Sequence, residues 1–270
     1  MSVSFQKSIN VRGRLIVFDK PVVMGILNAT PDSFFASSRV QTDDAIAART
    51  HAILDEGGTI IDVGGCSTRP GGDVCDAQTE TERVRHALRI VRREAPDAIV
   101  SVDTFRADVA KMAVEEFDAD IINDVSEGAD PQMFATVARL RRPYILQSVQ
   151  PDLKGVMLSF AAKVQRLEDL GQNDIILDPG FGFGKDVDQN YALLSQMDSL
   201  QVFQRPLLVG MSRKRMAWQL LGTDADHALN ATTSLNTIAL MKGADIVRVH
   251  DVREAAECCA IVGKLLHARQ

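Results

Sequence analysis

Eight short apolar runs recur along this chain, each followed by a segment with helical spacing. They occupy residues 22–27, 59–63, 98–102, 119–122, 144–146, 174–177, 207–209 and 245–249. Each reads as a buried strand, and the intervening segments are long enough for crossover helices. Eight β-then-α units within about 250 residues favour a closed (β/α)8 TIM barrel, of the α/β class, over an open doubly wound sheet. Residues 3–18 read as a short N-terminal β-hairpin turning near Arg12-Gly13-Arg14. No linker interrupts the pattern, so residues 1–270 are expected to form a single domain, with the 46% apolar and 24% charged residues usual for a globular chain.

The helical segments carry their own punctuation. Thr79-x-x-Glu82 fits a capping box, and Val84, Leu88 and Val91 then repeat at the spacing of one helix face. Residues 228–241 and 253–267 read as two further helices, with Gly243 ending the first.

Several function classes are excluded. There is no secretory h-region and no apolar stretch approaching ~18 residues, so a cytoplasmic protein without membrane insertion is expected. A formal net charge of −6 disfavours general nucleic-acid binding. An anionic substrate must then be drawn by a local cluster of cations. Cys66, Cys75, Cys258 and Cys259 contain no Cys-x-x-Cys pair, which argues for free thiols over zinc ligands or disulfides.

The sixth apolar run leads directly into Asp178-Pro179-Gly180-Phe181-Gly182-Phe183-Gly184-Lys185. Glycines at every second position permit positive φ and close approach of a ligand, and Phe181 and Phe183 would offer flat faces to it. The spacing is not the dinucleotide-binding Gly-x-Gly-x-x-Gly, and no Walker-type phosphate loop occurs.

Reacting groups of such barrels come from the carboxyl ends of the strands and the loops that follow. Here nearly every end is polar: Asn28, the run from Asp62 through Ser67-Thr68-Arg69-Pro70-Gly71, Asp103, Asn123-Asp124, Gln147-Ser148, Asp178, Ser212-Arg213-Lys214 and Arg248-Val249-His250-Asp251. Arg248 and His250, two apart, share a strand face and with Arg69 and Lys214 could bind a phosphate or pyrophosphate. Asp103, Asp178 and Asn123 could meet a heterocycle that presents several N–H donors, as a pterin does. Asn28 could hold Mg²⁺ bridging to phosphate oxygens.

These motifs, with Gly25-Ile26-Leu27-Asn28-Ala29-Thr30-Pro31-Asp32-Ser33-Phe34 and Ser101-Val102-Asp103-Thr104, closely resemble the dihydropteroate synthase family over most of the chain. The resemblance implies a transferase of folate biosynthesis, the usual target of sulfonamides. Such an enzyme joins 6-hydroxymethyl-7,8-dihydropterin pyrophosphate to p-aminobenzoate with Mg²⁺. It further implies that Asp103, Asn123, Asp178 and Lys214 hold the pterin, with Phe183 and Gly210 lining the pocket. Asn28, Thr68, Arg69, Arg248 and His250 would hold pyrophosphate and Mg²⁺, and Phe34, Pro70, Ser212, Arg213 and the stem of Lys214 the p-aminobenzoate. Asp103, Asp178, Lys214, Arg248 and His250 would carry catalysis, in a homodimer. Two positions depart from the family pattern: Cys66 stands where Glu is usual, and Gln147 stands in place of a methionine near the pterin. Other readings of the same motifs are a non-catalytic pterin-binding paralogue and a pterin-dependent methyltransferase.

Overall fold

The computed structural model describes residues 6–29, 43–66 and 74–268. It opens with an antiparallel hairpin of β1 (Ser8–Val11) and β2 (Arg14–Val17), which turns at Arg12-Gly13 as expected, residues 3–5 of the expected span lying outside the described residues. The eight strands that follow are β3 (Val22–Asn28), β4 (Ile60–Gly64), β5 (Ile99–Asp103), β6 (Ile121–Asp124), β7 (Tyr144–Gln147), β8 (Ile175–Asp178), β9 (Leu208–Val209) and β10 (Ile246–Val249). All pair in parallel in the order β8-β7-β6-β5-β4-β3-β10-β9, and a bridge between Leu177 and Leu207 closes the ring. The fold is a TIM barrel. Several strands reach one or two residues beyond their apolar runs, because backbone ladder bonds continue under a polar side chain.

Among the described residues the helices are α1 (Asp43–Asp55), α2 (Ala77–Glu94), α3 (Ala107–Phe117), α4 (Met133–Leu140), α5 (Leu153–Asp169), α6 (Val187–Ser195), α7 (Arg215–Trp218), α8 (Leu229–Met241) and α9 (Val252–His267). One or more follow each strand, and none is long and apolar enough to cross a membrane. The start of α2 corrects the expected capping box. Asp76, not Thr79, is the N-cap, its carboxylate accepting from the Thr79 N–H at 2.9 Å and from the Thr79 hydroxyl at 2.8 Å. An aspartate three residues ahead outcompetes threonine because a charged acceptor satisfies the free N–H groups of the first turn more strongly. Val84, Leu88 and Val91 are fully buried, as their spacing requires.

Side-chain alternation along the strands divides the core in two. Val63, Val100, Val102, Leu146, Leu177, Val209, Val247 and Val249 pack outward with the helices. Met24, Ile60, Ile121, Ile145, Ile176, Leu208 and Ile246 point the other way and form a separate cluster with Ile9 and Val11 of the hairpin. The hairpin thus closes the amino end of the barrel with apolar side chains, each worth roughly 1.5–3 kcal/mol when fully buried. Two or four residues further along each strand, the same inward face must carry what remains of the sequence: Asn28, Asp62, Asp103, Asn123, Gln147, Asp178 and Arg248. The apolar floor and the polar roof of the interior are written into the same strands.

Candidate functional site

Arg248 lies at the centre of that roof. Its Nε donates to Asp62 Oδ2 and its Nη2 to Asp103 Oδ2, both at 2.6 Å, while Asn123 Nδ2 donates to the same Asp62 oxygen at 3.1 Å. Burial works against the guanidinium charge, but the carboxylates of Asp62 and Asp103 more than offset it and hold Arg248 above its ordinary range. Asp103 is pushed up to about 7, chiefly by burial, with Arg248 opposing the rise. Among the described residues, Asp103 Oδ1 and Asn123 Oδ1 are buried without a hydrogen-bond partner. Buried acceptors without partners are strongly disfavoured, so a ligand with N–H donors is the chemical complement of this wall.

The glycine loop supplies the opposite wall. Asp178 Oδ1 accepts from the Gly180 N–H at 2.8 Å, and burial raises this carboxyl despite nearby Lys214. Gly180, Gly182 and Gly184 all have positive φ, of 72°, 82° and 63°. The first has the Ser148 carbonyl oxygen only 1.8 Å from where a Cβ would lie, so no other residue fits there. Lys214 reaches over the loop, donating to the Phe181 carbonyl at 2.5 Å with its ammonium 4.4 Å from the centre of the Phe183 ring. Burial lowers Lys214 to about 8. Gly210, at the mouth of β9, would bring a Cβ within 3.7 Å of Lys214 Nζ and 3.8 Å of Arg248, so its lack of a side chain keeps the space between the two cations open.

The two phenylalanines do not play equal parts. Phe181 is wholly buried in the apolar layer beneath the helices, and only Phe183 presents a face. Three positive-φ glycines break strand alternation, so the two rings need not point alike.

At the end of β10, Ser212 Oγ accepts from the His250 N–H at 3.2 Å and lies 3.1 Å from His250 Nδ1. This pairing suits a ring protonated at Nε2, leaving that N–H to donate elsewhere. Burial and the charge of Arg248 lower His250 to about 3, so it donates as a neutral imidazole. Its carbonyl accepts from Arg49 at 2.7 Å. Arg213 is turned to Asp251 in a bidentate pair at 3.0 and 2.6 Å, which engages the guanidinium expected beside p-aminobenzoate.

Asn28 ends β3 opposite Gly64. A Cβ on Gly64 would make ordinary contacts, 3.6 Å from both Asn28 Oδ1 and Asp103 Oδ2, and the latter oxygen already accepts from Arg248. Gln147 points inward and donates to the Val125 carbonyl at 2.8 Å, which gives its buried amide a partner. Phe34, Thr68, Arg69 and Pro70 lie outside the described residues. Sequence reasoning missed Asp62 as a separate group. Its signal was a carboxylate of inward parity inside the apolar run Ile60-Ile61-Asp62-Val63.

Buried carboxylates and amides facing a lysine, beside an arginine and a neutral histidine, define a barrel enzyme that takes a donor-rich heterocycle next to an anion. The family described as pterin binding enzyme matches residues 24–250. A dihydropteroate synthase of Streptococcus pyogenes serotype M3 is 38% identical over 265 residues, covering 94% of this chain and 99% of the relative. A solved Xanthomonas albilineans dihydropteroate synthase with 4-aminobenzoic acid superposes with a TM-score of 0.90 at 30% identity, over 97% of this chain and 98% of that one. The Clostridium difficile dihydropteroate synthase solved in the presence of pteroic acid gives 0.85 at 30% identity, over 91% and 97%. The chain belongs to the dihydropteroate synthase family of pterin-binding enzymes.

Proposed function

We propose that the protein condenses 6-hydroxymethyl-7,8-dihydropterin pyrophosphate with p-aminobenzoate, releasing dihydropteroate and pyrophosphate. The observation that carries this reading is the pair of buried, unpartnered acceptors, Asp103 Oδ1 and Asn123 Oδ1, across from Asp178 and Lys214. A pterin offers them its ring N–H and amino donors. Phe183 lines the ring, and Gly210 leaves room between Lys214 and Arg248.

His250, Arg248 and Asn28 take the pyrophosphate end, with Thr68 and Arg69 in the role the family resemblance implies. Asn28 would hold Mg²⁺, with substrate oxygens and water completing its shell. When bound it would neutralise charge on the phosphates. Ser212, Arg213 and the stem of Lys214 would take p-aminobenzoate, with Phe34 and Pro70 in the role the family resemblance implies.

The reaction breaks the bond between the pterin methylene carbon and the pyrophosphate oxygen, and both electrons leave with pyrophosphate. Asp103 and Asp178, fixed before reaction, stabilise the cationic pterin, while Arg248 and the His250 Nε2–H stabilise the leaving group. The neutral aniline nitrogen then attacks the methylene and loses a proton. No covalent enzyme intermediate is needed.

The reading implies a cytoplasmic enzyme. It is consistent with a homodimer formed through α8 and α9, which pack together and expose Ile238, Ile261 and Leu265. Incubating the protein with both substrates and Mg²⁺ tests the activity. Equimolar dihydropteroate and pyrophosphate are expected, and pterin binding without product would overturn the reading.

A further inference from the structure

Cys66 and Cys75 are nine residues apart in sequence, yet their side chains meet. The Cys75 N–H donates to Cys66 Sγ at 3.0 Å, and the Cys75 thiol donates to the Gly65 carbonyl at 3.7 Å. Both sulfurs and a Glu80 carboxylate oxygen lie within 4.8 Å of one another. Ordered elements fix both ends of the pair. Cys66 lies two residues past the end of β4, Cys75 precedes the N-cap of α2, and the chain after β4 approaches α2 so closely at Gly65 that a Cβ there would lie 2.7 Å from Val84 Cγ2. Both thiols are half-buried, so small solutes reach them.

The surroundings favour thiol chemistry over a cation. Arg106 lies in the cluster, paired with Glu80 and donating to the Cys75 carbonyl at 2.6 Å. Thr104 donates to the other Glu80 oxygen at 2.6 Å, so the carboxylate is already neutralised and hydrogen-bonded. A metal ion would have to share this space with a guanidinium. The Cys66 sulfur, by contrast, accepts from the Cys75 N–H and lies beside a second thiol.

We propose that Cys66 and Cys75 form a hydroperoxide-sensitive dithiol that closes reversibly to an intramolecular disulfide. The Cys66 thiolate attacks a peroxide oxygen, the O–O bond breaks, and Cys66 becomes a sulfenic acid as hydroxide leaves. The Cys75 sulfur then attacks the Cys66 sulfur, the S–O bond breaks, and the oxygen departs as water with the Cys75 proton. With hydrogen peroxide, two thiols give one disulfide and two waters, and the thiols lose two electrons. The order of attack follows from the geometry. Cys66 Sγ accepts from the Cys75 N–H, whereas the Cys75 thiol is turned to the Gly65 carbonyl and burial pushes it up to about 12, so Cys66 is oxidised first and Cys75 resolves it. Cys258 and Cys259 are buried in α9, and burial pushes Cys259 up to about 12, so this pair serves as an internal control.

The test treats the native protein with hydrogen peroxide, alkylates the remaining thiols under denaturing conditions and maps them by mass spectrometry. Two of the four thiols should become unavailable. The peptide holding Cys66 and Cys75 should lose the mass of two hydrogens, and a dithiol reductant should restore it. Cys75→Ser should stop at a sulfenic acid on Cys66 that a 1,3-diketone traps, and Cys66→Ser should leave Cys75 unoxidised. Four alkylated thiols in the native protein, a cross-link through Cys258 or Cys259 or between chains, or equally fast loss of Cys75 in Cys66→Ser would each overturn the proposal.

Discussion

Arg248 spans the barrel interior to reach Asp62 and Asp103 at once, with 2.6 Å to each carboxylate. Asp62 is wholly buried and also holds Asn123, so it positions two ligand-facing groups. Asp62→Asn removes one carboxylate from a buried charge network. We expect a stability loss of about 3 kcal/mol, the scale for breaking a buried ion pair, with weaker pterin binding. Denaturant unfolding and calorimetric titration measure the two effects. Unchanged pterin affinity would show that Asp62 supports the barrel alone.

Arg248 and His250 should separate in their effects. Removing Arg248 leaves Asp103 without the charge that opposes its protonation, so Arg248→Ala should weaken both the pterin pyrophosphate and a pterin lacking phosphates. His250 bonds to Ser212 and to neither aspartate, so His250→Ala should weaken the pyrophosphate ligand about tenfold, ~1.4 kcal/mol, and spare the other. Equal losses for both ligands in His250→Ala would contradict its place at the anion.

The pH dependence follows from two groups. Asp103, raised to about 7, must ionise to accept from a cationic pterin, and Lys214, lowered to about 8, must remain protonated beside Asp178. The kcat/KM profile should rise through about 7 and fall above about 8. Stability moves with the first group. A carboxyl raised on folding binds its proton more tightly in the native state, so its contribution is fully present below the unfolded value and is lost as pH rises through about 7. Asp103→Asn should therefore flatten the fall in ligand-free stability across that range. A denaturant series against pH decides it.

Gly182 has φ 82°, and a Cβ there would lie 2.7 Å from Lys214 Cδ. Gly182→Ala should displace Lys214 from the Phe183 face and strain the loop, costing about 1–3 kcal/mol. Steady-state kinetics should show the main loss in pterin KM.

The barrel was legible because eight apolar runs, each followed by a segment with helical spacing, state the β-then-α rhythm. The place of Asp103, Asn123, Asp178 and Arg248 at the carboxyl ends of those runs grouped them at one mouth of the barrel. Pairings across the ring were not legible, since nothing local links Asp62 to Arg248, 186 residues later. Thr79 was read as the cap, and Asp76 takes that place because the helix begins at Ala77. Phe181 and Phe183 could not be told apart, because positive-φ glycines cancel the period that would have assigned their faces. The meeting of Cys66 with Cys75 depends on how β4 and α2 pack, which no spacing encodes.

Gln147 tests whether a departure from the family pattern matters. Its amide already has a partner in the Val125 carbonyl, so Gln147→Met should cost about 1–3 kcal/mol of stability by leaving that carbonyl unpaired. Pterin affinity should change by no more than about tenfold, ~1.4 kcal/mol. Isothermal titration beside unfolding separates the two.

The central claim is that paired buried carboxylates drive a condensation and do more than hold a pterin. Asp178→Asn keeps size and shape while exchanging an acceptor for a partial donor and removing its charge. Measured as dihydropteroate and pyrophosphate formed from both substrates with Mg²⁺, kcat/KM should fall by about 10²–10³, or ~2–4 kcal/mol of transition-state stabilisation, with circular dichroism unchanged. Near-native kcat/KM in the folded variant, or no product from the native protein under the same conditions, would contradict the account.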